Sequence, residues 1–363
     1  MHTAAGEPGS TRRMLDFRSG GWVLLLAAAL CVLTAALWVH RLTVRRPLIG
    51  DGRNVASYRF DLTTCRVPRA EIVAAGFGRD GVPAMVSPEI FTAAQTDSFS
   101  DELRRSHQGR YLVSADRVIG VFVGGAARAY PLRVITWHEV VDDTLGDQPI
   151  VVTYNPLCDS AAVFDRRVAG ETLDFGVSGL LYNSNLLLYD RRPGATGESL
   201  WSQLQFRAIA GPAAERDEAL TLVLAVVVHW SDWRARYPDT TVLAPDPERM
   251  AVYQNTYDPY FGSETLRFPV DPIPPADGPP LKTRVLAVRV GGDWHVFALA
   301  DIARQADPAG FWETELDGRS VRFLARTEPS AVWPEAAADE PLQSISSFWF
   351  AWYAMHPNTA LSR

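Results

Sequence analysis

The residues best equipped for chemistry crowd into one stretch, 137–203. It carries WHEVVDD at 137–143, TYNPLCDSAAVF at 153–164, FGVSGLLYNSNLLLYDRR at 175–192 and SLWSQ at 199–203. A thiol, an imidazole and carboxylates would permit nucleophilic catalysis, with Cys158 attacking, His138 as base, and Glu139 or Asp159 as orienter. Asp159 works against that reading, because a neighbouring carboxylate raises a thiol's pKa. Ligand binding is the second option. Tyr182, Asn183, Tyr189, Asp190, Trp201, Ser202 and Gln203 mix flat rings with amide and hydroxyl groups, which suits a polar, sugar-like or peptide-like ligand. The same rings would serve equally well as core.

The elements that must position these residues repeat. VIGVFVGGAARAYPLRVI (118–135) is echoed by VLAVRVGGDWHVFALADI (285–302), a shift of 167 residues. In both, alternating apolar residues run into Gly-Gly and out again, the pattern of a two-residue hairpin turn. WSDWRARYPDT (230–240) is echoed by WFAWYAMHPNT (349–359), each a short amphipathic helix stopped by proline. The order is the same in both units, and the second is 48 residues shorter in its middle. What it lacks is the stretch that holds the polar clusters.

The fold expected is therefore α+β, predominantly β, with two pseudo-repeated β-rich units after an N-terminal transmembrane helix. Boundaries are a tail at 1–21, an anchor at 22–39, a tether at 40–59, a first unit at 60–268 carrying the site, a Pro-rich linker at 269–284, and a shortened second unit at 285–363 packed on the first. The anchor rests on the uncharged run from Trp22 to Val39, 18 residues. That is about 27 Å of helix, close to the roughly 30 Å of a bilayer core. Three arginines on each side leave orientation undecided, and the short tail favours a C-terminal body outside the cytoplasm.

The formal net charge of −7 argues against a nucleic-acid partner. Of 35 basic residues only Lys282 is lysine, a bias toward arginine that composition alone accounts for. Three cysteines (Cys31, Cys65 and Cys158) are too few for a disulfide scaffold, although one Cys65–Cys158 bridge stays open. Phosphate-loop, dinucleotide, haem and nucleophile-elbow signatures are missing from the sequence.

GGAARAYPL, WHE, PLC, SGLLYNS, YDR and LWSQ follow one another in an order that resembles the bacterial and archaeal family called domain of unknown function 3179. The resemblance runs from about Val67 to the FWFAW helix. Where the family has Cys-Pro-Leu-Cys-Gly-Thr, this chain has Asn155-Pro156-Leu157-Cys158-Asp159-Ser160, without the first thiol and the glycine. The family's thiol pair with a nearby histidine implies a copper or zinc site, whose surviving donors here would be His138 and Cys158, aided by Glu139 or Asp159.

The function expected is a membrane-anchored, extracytoplasmic domain for metal-related binding or redox handling, weakened by the loss of that thiol. The first alternative is a metal-free ligand-binding or interaction module of the cell envelope, with Tyr182, Asn183, Asp190, Trp201 and Gln203 as the ligand-binding set. The second is an enzyme dependent on cysteine and histidine.

Overall fold

The computed structural model describes Val23 and residues 26–34, 48–107, 109–192, 197–246, 249–250, 253, 257–325, 332–336 and 342–362. The chain divides into a unit at Met1–Leu48 and a unit at Ile49–Arg363.

The N-terminal unit corrects one expectation. Among the described residues, no helix is long and apolar enough to cross a membrane. Of the run at 22–39, only Val23 and residues 26–34 are described, all helical. Nine residues in a row rise about 14 Å, half of what a bilayer core requires. The transmembrane helix, the membrane partner and the single-pass, extracytoplasmic location are not supported. The tail at 1–21, the ends of that run and residues 40–47 lie outside the described residues.

Among the described residues, the C-terminal unit holds all the remaining elements. Residues 49–59, read above as tether, belong to it. A short 3-10 helix at Val55–Tyr58 seats the fully buried Tyr58, whose hydroxyl donates to the Phe77 carbonyl. An eight-stranded sheet runs in the order Asp293–Ala298, Arg284–Val290, Gln343–Phe348, Ser160–Asp165, Gln148–Asn155, Val140–Leu145 and Met85–Val86, with Thr221–Val223 pairing Ser160–Asp165 off this path. A five-stranded sheet runs Ile72–Ala74, Phe175–Tyr182, Asn185–Asp190, Leu200–Ser202 and Arg207–Ala210. A second one runs Ala225–His229, Arg117–Val123, Ala126–Pro131, Thr241–Leu243 and Ile90–Thr92.

The two segments that match at a shift of 167 residues form the same arrangement. Arg117–Val123 and Ala126–Pro131 pair through Gly124 and Gly125, at φ +56° and +81°; Arg284–Val290 and Asp293–Ala298 pair through Gly291 and Gly292, at +66° and +130°. Such two-residue turns need positive φ at both central positions, which is why the Gly-Gly pairs are there. Each hairpin runs straight into a helix, Leu132–Ile135 or Leu299–Gln305. Each first strand takes an antiparallel neighbour, Ala225–His229 or Gln343–Phe348, that leads into a Trp-bearing helix.

The halves share structure. Ser346 on the Gln343–Phe348 strand pairs with Ala161, so strands from both halves continue one sheet. The Pro-rich stretch is also tied down, since Asn183 exchanges hydrogen bonds with the Asp271 main chain and the Ser184 hydroxyl donates to the Phe268 carbonyl. Phe175–Tyr182 and Asn185–Asp190 are buried at every position, so their near-continuous apolar runs are those of strands covered on both faces.

Candidate functional site

His138 and Cys158 sit on either side of the Val140–Leu145/Gln148–Asn155 hairpin and are both buried. The imidazole is committed at both nitrogens. Nδ1 lies 2.7 Å from the Pro83 carbonyl and Nε2 lies 3.0 Å from the Tyr253 hydroxyl. Burial lowers its pKa, so the neutral ring is the resting form. The Cys158 thiol donates to the Ser184 carbonyl at 3.3 Å, and burial pushes its pKa far up. A protonated thiol and an imidazole with separate partners do not fit a shared copper or zinc ion, nor a nucleophile–base pair. Among the described residues, no group of three or more His, Cys, Asp or Glu could hold a metal ion. All three cysteines are free thiols. Asn155, at the position of the missing thiol, caps the Pro-Leu-Cys turn by accepting from the Leu157 amide at 2.8 Å.

The expected ligand-binding set is buried and divided among three groups of partners. Asp190 accepts from the Trp201 indole at 3.2 Å, from the Ser199 amide and from Arg192. Gln203 accepts from Ser160 and Asn185 and donates to Thr153, at 2.7, 2.8 and 2.9 Å. Tyr182 and Asn183 sit at the Phe175–Asp190 hairpin end, Asn183 against Asp271. Gln203, Asn185, Ser160 and Thr153 are at most 0% exposed. This network joins the eight-stranded sheet to the first five-stranded sheet, and its geometry specifies how the two pack. It commits the Gln203 amide to the protein's own interior.

Recessed space is lined by other residues. A cavity of about 210 Å³ is lined by Ala115, Asp116, Arg117, Leu132, Arg133, Thr136, Tyr154, Tyr257 and Phe261. Two arginines reach it by different routes. Arg117, at the start of its strand, donates through Nη1 to both oxygens of Asp159, at 3.0 and 3.1 Å. Arg133, on the short helix after the hairpin, donates to the carbonyls of Arg110, Tyr111 and Tyr253. Neutral carbonyls satisfy its donors without cancelling its charge; its nearest carboxylate, Asp116, is 3.7 Å away. Tyr257 and Phe261, also in the lining, stack on each other with ring centroids 6.1 Å and planes 29° apart.

Asp159 stands behind Arg117 at φ +44°, in the left-handed region. Its carboxylate also accepts from Arg284 at 2.6 Å and from the Tyr154 hydroxyl at 2.7 Å. Burial raises its pKa, but Arg117 and Arg284 more than offset this and hold it below the ordinary carboxylate value. Glu139 is also strained, at φ +56°. Its side chain is half-buried, and burial alone pushes its carboxyl up to about 8. Its carbonyl accepts from the amide of Tyr154, a residue of the cavity wall, at 2.9 Å.

Arg117, Arg133, Tyr154 and Tyr257 lie outside the set of site residues expected from the sequence. One signal was available for Arg117. It and Arg284 stand at equivalent positions just before the two echoed hairpins.

This is a β-rich protein with two hairpin-and-helix halves fused through one sheet and a charged, aromatic cavity beside their junction. The chain belongs to the family of proteins of unknown function DUF3179, whose model matches residues 79–339. No curated protein and no solved structure matches it.

Proposed function

We propose that this chain is a metal-free ligand-binding module whose site is the Arg117–Arg133–Tyr257 cavity. The observation that carries the reading is the convergence of two guanidinium groups and two aromatic rings, from three separate stretches, on one recess of about 210 Å³. A recess of about 150 Å³ already holds benzene, so a small molecule has room here. Function sites combine mostly apolar walls with a few polar groups in this way. The strained, half-buried Glu139 beside it adds weight, because strain and displaced pKa values gather at functional sites. The metal reading is less favoured, since His138 and Cys158 spend their donor atoms on Pro83, Tyr253 and Ser184.

The test is ligand-observed NMR on the full chain with a panel of neutral and charged fragments of benzene size, repeated on Ala115→Trp. Ala115 is exposed at the cavity wall, so the indole fills the recess without entering the core. Fragments that bind the parent chain and are lost from the variant support the reading. Stoichiometric copper or zinc in the purified chain, lost on Cys158→Ser or His138→Ala, would overturn it.

A further inference from the structure

The charges around the cavity say more about what enters it. Its lining carries two guanidiniums, Arg117 and Arg133, against one carboxylate, Asp116. Asp159 does not tip this balance, because Arg284 also binds it from behind. Arg267 adds a further positive charge, its guanidinium carbon 5.1 Å from the Tyr257 ring centre. Both lining arginines keep access to water, with side-chain exposures of 24% and 30%. Counting Asp159 and Arg284 with the lining, three guanidiniums meet two carboxylates, an excess of one positive charge. A concave, low-dielectric wall concentrates such a field and draws ions of opposite sign.

The second half of the wall is apolar. Tyr257 and Phe261, stacked on each other with planes 29° apart, line it together with Leu132 and Ala115. Flat ring faces favour a flat apolar partner in offset or edge contact. An inorganic anion would engage the charged part of the lining alone, and a neutral ring the apolar part alone.

We infer that the cavity takes a small amphipathic anion: a carboxylate or similar oxyanion held by Arg117 and Arg133, with a planar apolar tail against Tyr257 and Phe261. This inference rests on the cavity being the binding site and adds the chemical class of its occupant. A carboxylate suits the guanidinium fork geometrically as well as electrically, since it can accept two parallel N–H donors.

Benzoate, its neutral isostere benzamide and inorganic phosphate separate the possibilities. Each is titrated calorimetrically into the full chain and into Ala115→Trp, at low and at raised salt. The expected result is that benzoate binds at least tenfold more tightly than benzamide. Its affinity should fall as salt rises, it should outcompete phosphate, and it should be lost from Ala115→Trp. Benzamide binding as well as benzoate, with both lost from the variant, would overturn the anionic class and leave the cavity reading standing. Phosphate outcompeting benzoate would overturn the apolar tail. Failure of all three probes would count against the cavity itself. No arm depends on an Arg133 variant, whose three carbonyl contacts put folding at stake.

Discussion

Arg117 and Arg284, equivalent residues 167 positions apart in the two halves, grip the same carboxylate, that of Asp159. Arg117 reaches it at 3.0 Å and Arg284 at 2.6 Å, while Asp159 itself has a side-chain exposure of only 1%. A buried carboxylate is tolerated only when paired and hydrogen-bonded, and here the pairing needs one donor from each half. The two halves thus share an electrostatic centre as well as a sheet.

Removing that centre leaves two guanidiniums facing each other. Asp159→Ala is expected to destabilise the chain by about 3–5 kcal/mol, the cost of breaking a buried pair. The check is the denaturant midpoint in chemical unfolding. The sign with pH follows from the lowered pKa. Asp159 contributes stability above its unfolded value near 3.9, and that contribution is lost as pH falls through the folded value. Asp159→Asn should flatten this acid limb. An unchanged acid limb would remove Asp159 from the account.

Asp142 behaves in the opposite sense. It is fully buried; one oxygen accepts from the Phe175 amide at 2.8 Å, and the other finds no partner. Burial raises its pKa to about 7 despite Arg166. Between pH 4 and 7 the unfolded chain sheds this proton and the folded chain keeps it, so stability falls as pH rises and levels off above 7. The full drop is on the order of 4 kcal/mol. Asp142→Asn should abolish the slope and unfold at higher denaturant than the parent at pH 8.

Lys282 is irreplaceable by the residue that composition favours. Its ammonium donates to the carbonyls of Tyr260, Ser263 and Thr265, at 2.5, 2.6 and 2.9 Å, and sits 3.4 Å from the Tyr260 ring centre. A compact ammonium fits three converging carbonyls, whereas a planar guanidinium does not. Lys282→Arg should cost about 1–3 kcal/mol, at the upper end of ordinary single substitutions. Amine acylation followed by mass spectrometry should leave Lys282 unmodified in the folded chain and modify it once unfolded. Rapid native acylation would show that the cage is open.

Glu139 carries a different cost, because its φ of +56° suits glycine and strains other residues. Glu139→Gly is expected to leave stability unchanged or raise it by up to about 1 kcal/mol, since relief of strain offsets the added freedom of the unfolded chain. A thermal midpoint several degrees below the parent would mean that the carboxyl is a structural support.

Local rules made part of this molecule legible from its residues. The Gly-Gly turns, the strand–turn–strand–helix order and the fully apolar strands follow from φ requirements and side-chain period, which neighbours in sequence determine. So does the location of the polar clusters in the stretch that only the first half retains. An apolar run of span length was legible too, yet its described helical residues cover only half a bilayer.

What the tertiary structure decided is where each polar group points. His138 turns to Pro83 and Tyr253, Cys158 to Ser184, and Gln203 to Thr153 and Asn185, partners that no local rule of sequence selects. Arg117, Arg133 and Tyr257, unremarkable in sequence, came to share a cavity wall. The physical reason is distance along the chain. Burial, charge pairing and hydrogen-bond satisfaction are set by neighbours in space, and Asp159 meets one arginine 42 residues upstream and another 125 residues downstream.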